Sequence, residues 1–352
     1  MKTIVKLFRR LLSGRDHTAR VPEWPVADSV GTGALTAAFA DLYGTAPEGV
    51  RFAPGRVALM GEPGGEDSPV LLAALPWGVH AAWAPAGDGT VELRHARDPD
   101  TPLPLPAPLN DAAAGARVLI DTDLPAPAAL GGQEALEEAL RPVLGTTDTA
   151  LPFTEGTALR VDRRTGRTRA FPFGLAAAGL RLLIADTRSI PPAPSSRRRA
   201  ECARAAARLG VSSLREVEDL AGALRRLRDP VLRSRVRHTV TEDNRLSAVT
   251  GLMRAGALGD IGAVLTASHL SVRDHFGMST PELDLAVERA VGSGARGARM
   301  TGGSGACAVA LVPAERAGAV AEAVRAALEE RFPRIRPRIR TALPAAGARR
   351  SD

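Results

Sequence analysis

The feature that most constrains this chain is a change in its apolar pattern at IPPAPSS, residues 190–196. Ahead of that break, apolar residues come mainly in short runs cut by Gly and Pro, the pattern of strands and turns. After it, long stretches rich in Ala, Leu and Arg carry helical spacing. Val50 to Met60 alternates as a strand, Gly61 to Pro69 is a turn of Gly, Pro and acids, and Val70 to Leu75 is a second apolar run. Val118 to Ile120 starts another short strand, and Leu180 to Asp186 (LRLLIAD) reads as a buried one. Residues 98–109 (DPDTPLPLPAPL) read as a loop, because proline lacks the donor a central strand needs. Helices are expected over 33–43, ending before Gly44, and over Gly132 to Leu144. Past the break they are expected at Arg197 to Leu209, 213–228, 230–256, 259–274, Pro281 to Ser293 and Ala314 to Arg331, with Ser279 or Thr280 capping the fifth. A Gly-rich turn from Thr301 to Gly305 leads into a strand at Ala308 to Val312.

A length of 352 residues suits two domains. The break divides them into residues 31–190 and 191–336, with a basic tail and linker over 1–30 and a disordered tail over 337–352. The apolar fraction of 45% and the charged fraction of 24% are ordinary for a globular chain. Net charge is +7, and every basic side chain except Lys2 and Lys6 is Arg or His. A basic balance raises nucleic acid or anionic lipid as partners. Here Arg is scattered and aromatic residues are only 3%, too few for stacking platforms, so no nucleic-acid partner is expected. The first twelve residues, MKTIVKLFRRLL, could form an amphipathic helix touching a membrane surface weakly. No apolar run is long enough to span a membrane. Cys202 and Cys307 show no metal spacing and fit a reducing cytoplasm. His238, His269 and His275 show none either, and read as surface or capped histidines.

Four segments, in order, resemble the galactokinase family of the GHMP small-molecule kinase superfamily. They are APGRVALMGE at 53–62, ADTRS with RRRAECARAAARLGVSSLREV within 185–217, RSRVRHTVTEDNRL at 233–246, and the stretch from His269 to Val312. The resemblance implies an α+β fold of two GHMP-kinase-like lobes with the site in the cleft between them. It implies transfer of the ATP γ-phosphoryl to the anomeric hydroxyl of galactose, with magnesium. A sugar and ATP are thus the implied partners; no protein partner is indicated.

Residue by residue, the resemblance assigns Arg56 to a place beside the transferred phosphoryl and Glu62 to a sugar hydroxyl. Gly302, Gly303, Ser304 and Gly305 match a turn near the phosphates, where glycine lets backbone approach closely. Ala129, Leu130, Gly131, Gly132 and Gln133 match a turn opening a helix; its Ser hydroxyls are gone, but Gly131 and Gly132 can still form a backbone anion nest. Asp148, in GTTDT, is the candidate base; the same residue also reads as a loop Asp in a polar turn. Arg56 and Glu62 read equally as a structural ion pair. The chain departs from the family pattern at Pro63 for a His, at Gly65 or Glu66 for an Asp, and at Ser195 for a Tyr. The stretch after Glu137 is short, so the acidic magnesium ligand is expected to be missing and no metal site is assigned. Two classes follow: a sugar kinase with weakened or lost activity, or a non-catalytic sugar- or nucleotide-binding protein with a regulatory or interaction role.

Overall fold

The computed structural model describes residues 31–61, 68–110, 114–124, 130–147, 150–189, 195–301 and 307–351. The tail and linker over 1–30, with its amphipathic stretch, lies outside them. Among the described residues an eight-stranded sheet and a four-stranded sheet share the chain with helices, a mixed α+β architecture.

The first sheet is built on a long hairpin, β1 (Gly49–Met60) and β2 (Val70–Pro85). Strand β5 (Ala116–Thr122) pairs antiparallel with β2, and β3 (Val91–His95) pairs parallel with β5. Strand β4 (Asp98–Pro102) closes that edge, and β6 (Thr157–Val161) with β7 (Thr168–Pro172) extends the other end of β2. Both faces are covered, as strand alternation requires. Val50, Ala82 and Leu119 pack against Leu35 and Phe39 of helix α1 (Thr32–Tyr43). Ala81, Val118 and Ile120, one residue out of phase, join the main core with Ala135 and Ala139 of helix α2 (Gly132–Leu140). The segment 98–109, expected as a loop, begins instead with β4. That strand lies at the sheet edge, where proline is tolerated because no ladder donor is missed.

The second sheet runs β11 (Arg338–Ala342), β8 (Leu180–Asp186), β10 (Cys307–Pro313), β9 (Gly297–Thr301), all antiparallel. A boundary at 190 would place β8 with the first lobe. Its hydrogen bonds put it inside the second sheet, since an apolar strand with one buried residue after another needs a neighbour on each side. The tail from 337 is likewise corrected. Residues 338–342 form β11, and 349–350 form β12, which pairs with β1. Ile339 and Ala342 are buried although Arg dominates the segment.

Helices α3 (Ser195–Leu209), α4 (Leu220–Arg226), α5 (Pro230–Arg254), α6 (Ile261–Ser271), α7 (Pro281–Gly292) and α8 (Ala317–Arg331) follow the break. Asp229 caps α5, accepting from the Val231 and Leu232 N–H groups with Pro230 in the first turn, and Thr280 caps α7 through Leu283. The single helix expected over 213–228 is split: Ser213 and Asp219 each cap a new start, giving a short 3-10 turn at 214–216 and then α4. Helix α6 lies tight on β9, where a Cβ on Gly297 would stand 1.8 Å from the Gly262 carbonyl oxygen.

The sheets share one core. Val57 and Leu59 of β1, Leu182 and Ile184 of β8, Leu246 and Val249 of α5, and Val309 of β10 belong to one buried cluster. Thr301, at the end of β9, donates its hydroxyl to the Ala58 carbonyl (2.9 Å) and accepts from the Ala58 N–H (3.0 Å). Strand β1 is therefore where the two sheets meet.

Candidate functional site

Arg56 sits on β1 just past a register shift between Pro54 and Arg56. Such irregularities re-aim a side chain, and a proline inside the strand makes one necessary. The Arg56 N–H donates to the Leu130 carbonyl (2.7 Å), in the turn that opens α2. Its guanidinium Nη2 lies 2.8 Å from Glu138 Oε1 on the same helix, and both side chains are nearly shut off from solvent. At this contact the pairing is ionic; neither Nη2 nor Nε has an aligned hydrogen-bond acceptor among the described residues.

Gly131 is required twice over. Its φ of +69° is the left-handed region that disfavours a side chain, and a Cβ there would lie 2.5 Å from Arg56 Cγ. Gly131 is the N-cap of α2, and no side chain caps the helix. The first-turn N–H groups, beginning at Gly132, carry the positive end of the helix dipole. Gln133 turns along the helix and donates to Glu137 (3.1 Å). The expected arginine and two expected glycines are thus brought together.

Glu62, Asp148, Gly302, Gly303, Ser304 and Gly305 lie outside the described residues, as do Pro63, Gly65 and Glu66. Each of their described flanks is tied by a hydrogen bond. Thr301, next to the Gly-rich turn, bonds Ala58, two residues along β1 from Arg56. The Leu151 N–H, three residues after Asp148, reaches Glu138 Oε1 at 3.4 Å. Gly61, the neighbour of Glu62, donates to Glu242 Oε1 at 3.3 Å.

Glu242, on α5, was not singled out by its sequence and organises the second polar group. It accepts from Ser268 Oγ (2.7 Å) and Arg245 Nε (2.8 Å), and Arg299 Nη2 stands 3.8 Å away. Arg299 on β9 in turn donates to the Leu59 carbonyl (3.1 Å), so the group reaches across to β1. Burial works to raise the Glu242 carboxyl, but Arg299, His238 and Arg245 outweigh it and hold it at about 2. His238, one helical turn away, is pushed down to about 3 by burial and shares a hydrogen bond with Ser271 Oγ (2.9 Å). His238 and His269 are both buried, correcting the expectation of surface or capped histidines. His238 shares a face of α5 with Glu242, and His269 a face of α6 turned to β9, where its Nδ1 accepts from the Met300 N–H.

Between α3, α5 and the base of the β1–β2 turn lies a cavity of about 390 Å³, lined in part by Gly61, Ser68, Arg199, Cys202, His238 and Asp243. Its volume lies within the range of small-molecule sites. Among the described residues no cluster of three or more His, Cys, Asp or Glu could hold a metal, and no helix is long and apolar enough to cross a membrane.

Glu138 was also missed. A signal existed: Ala135, Glu138 and Ala139 follow the i, i+3, i+4 spacing of one helix face, and Ala135 and Ala139 mark that face as buried.

Comparison with known proteins gives the following. The model for GHMP kinases C terminal matches residues 249–330, and the galactokinase galactose-binding signature matches residues 37–85. A galactokinase of Streptomyces coelicolor is 38% identical over 374 aligned positions, covering 89% of this chain and 96% of that protein. A galactokinase of Streptomyces lividans is 46% identical over 203 positions, covering 55% of this chain and 50% of that protein. Among solved structures, Lactococcus lactis galactokinase complexed with galactose superposes with a TM-score of 0.79 at 24% identity, covering 90% of this chain and 99% of that one. A mevalonate kinase shares the fold at a TM-score of 0.54 and 14% identity, covering 84% and 99%.

Proposed function

Because the chain belongs to the galactokinase family, we propose that it is an ATP-dependent sugar kinase whose use of galactose is weakened. The observation that carries the reading is the way Arg56 is held. Its backbone bonds the turn opening α2 and its side chain pairs with Glu138 on the same helix, which fixes a positive charge beside that helix start. The bare N-terminus of α2 at Gly131 and Gly132 supplies N–H groups for a phosphate. Arg56 then provides fixed charge beside the phosphoryl, where charge develops in transfer. Gly302, Gly303, Ser304 and Gly305 complete the phosphate cradle in this reading, Glu62 binds a sugar hydroxyl, and Asp148 takes the acceptor proton.

Galactose use is weakened because Pro63, Gly65 and Ser195 stand where directed hydrogen-bonding groups are implied. Each such bond contributes about 0.5–1.5 kcal/mol net, so losing three lowers affinity by orders of magnitude. The cavity against α3 and α5, lined in part by Gly61 and Ser68, offers space for an acceptor. In this family magnesium generally accompanies ATP; bound here, it would offset phosphate charge. This reading assigns no residue to the ion; the Gln133 Nε2 donates to Glu137. No step is routed through the ion here.

The test is ATP consumption by purified protein over a panel of hexoses. The expected result is turnover of galactose below about 1 s⁻¹, the low end of ordinary enzyme rates. In Arg56→Ala, kcat should fall about a hundredfold or more while KM changes far less, because the charge acts on the transition state. Galactose turnover at about 1 s⁻¹ or above removes the weakening. No consumption with any hexose leaves only the non-catalytic, ligand-binding reading.

A further inference from the structure

We propose that Glu138 is the positioning residue for Arg56: the carboxylate on α2 sets where the strand-borne guanidinium stands, and so makes β1 and α2 one functional unit. Its kinetic consequence rests on the sugar-kinase reading above; its structural consequence does not.

Three observations carry this. The first is distance with burial. Arg56 Nη2 and Glu138 Oε1 are 2.8 Å apart, with the two side chains 11% and 7% exposed. At that spacing and seclusion the attraction is much stronger than for a surface pair. The second is that Arg56 has no slack. Gly131 lies against its stem, with Cγ, Cδ and Nε all within about 3.1 Å of where a Cβ would be. The stem is fixed by packing, and the acid at the far end fixes the fork. The third is the unmet capacity of that fork. Nε and Nη2 are buried yet lack aligned acceptors among the described residues. Buried donors without acceptors are costly, and in native structures they call for a ligand or a function. A guanidinium held at one end by charge, with a small part of the side chain still exposed, presents a fixed cation to a phosphoryl group.

Glu138 also ties in a third segment, since the Leu151 N–H approaches the same Oε1. The chain just after Asp148 therefore hangs on the atom that holds Arg56. Glu138 is placed here to orient another residue, not to touch substrate.

Glu138→Gln keeps the shape and removes the charge; Glu138→Asp keeps the charge and shortens the reach. The first measurement is hydrogen exchange at the Arg56 Nε–H by NMR of the full chain. Exchange should quicken at least about tenfold in Glu138→Gln, as a buried ion pair is opened. The second is the kcat against KM split. In Glu138→Gln kcat should fall about tenfold or more with little change in KM, and Glu138→Asp should recover part of it. Adding Glu138→Gln to Arg56→Ala should cost no further activity, because the two act as one unit. A purely structural Glu138 would lower Tm, leave kcat of the folded enzyme intact and give additive effects. Unchanged Nε–H exchange in both variants overturns the proposal outright. If wild-type protein phosphorylates no hexose, the kinase reading fails, and the exchange experiment still decides the role of Glu138.

Discussion

Two arginines rise from strands to meet a glutamate on a helix, and they differ in depth of burial and in what the glutamate gathers: Arg56 is 11% exposed and Arg299 1%. Glu242, facing Arg299, takes bonds from Ser268, Arg245 and the Gly61 N–H, and Arg299 bonds the Leu59 carbonyl. Charges and backbone are knitted across the two sheets at the cost of several desolvated groups, and such a network sets the geometry of the interface. Glu138 pairs with Arg56 at 2.8 Å and accepts from the Leu151 N–H, and Arg56 Nε and Nη2 lack aligned acceptors among the described residues. The comparison teaches a working distinction. A glutamate that gathers groups from both sheets holds their interface, whereas the pair on α2, beside a bare helix N-terminus, is the one the proposed function assigns to a ligand.

The largest effect that separates the pairs is on stability. Glu242→Ala strips the network of the acid its groups share and should cost about 3–5 kcal/mol, the range for breaking a buried pair. Glu138→Ala should cost less, about 1–3 kcal/mol, because the arginine it leaves behind is less deeply buried, 11% exposed against 1% for Arg299. Urea unfolding of both variants measures this, and equal losses would break the distinction.

Next in size is acid sensitivity, which should belong to the Glu242 group. Its carboxyl stands at about 2 in the fold against 4.5 without neighbours, so the stability it contributes is complete above the unfolded value and is lost as pH falls toward about 2. The His238 imidazole stands at about 3 against 6.5. The unfolded chain gains that proton first, so folding weakens as pH drops from about 6.5 toward about 3. Both act in the same direction. The unfolding midpoint should fall between about pH 7 and about pH 5, and His238→Gln should flatten that limb. A limb untouched by His238→Gln would place the titrating group elsewhere.

The smallest effect expected is that of Gly131→Ala, at about 1–3 kcal/mol for a strained left-handed residue. Its new Cβ must push Arg56 Cγ aside from 2.5 Å. The sharper readout is kcat, which should drop with Arg56 displaced. An alanine variant that keeps full kcat would show that Arg56 tolerates the shift, and would weaken the clamp described for it.

Much of this architecture was legible in the chain. The apolar runs that became β1, β2, β8 and β10 are long or strongly alternating, and the helices after 195 carry caps such as Asp229 and Thr280. Strands β6 (TALRV), β7 (TRAFP), β9 (GARMT) and β11 (RIRTA) escaped notice because each is five residues long and holds an arginine. Their formation depends on partners elsewhere in the chain, as when β9 pairs with β10 at the sheet edge and is pressed on α6 at Gly262. At the site, Arg56, Gly131 and Gly132 were readable from the motifs that carry them. Glu138 and Glu242 were not, because a carboxylate on a helix looks solvated until the opposing surface is known.

By itself, then, the sequence determined the family, the order of its motifs and the shift from strand-rich to helix-rich halves, all of which are written in local pattern. Only the tertiary structure decided that β8 joins the later strands, that the last residues close two sheets, and which acid faces which arginine. The physical reason is common to all three. Pairing between distant segments is selected by which surfaces can be buried together with their charges and backbone groups satisfied, and that condition is a property of the assembled core, not of any stretch of chain.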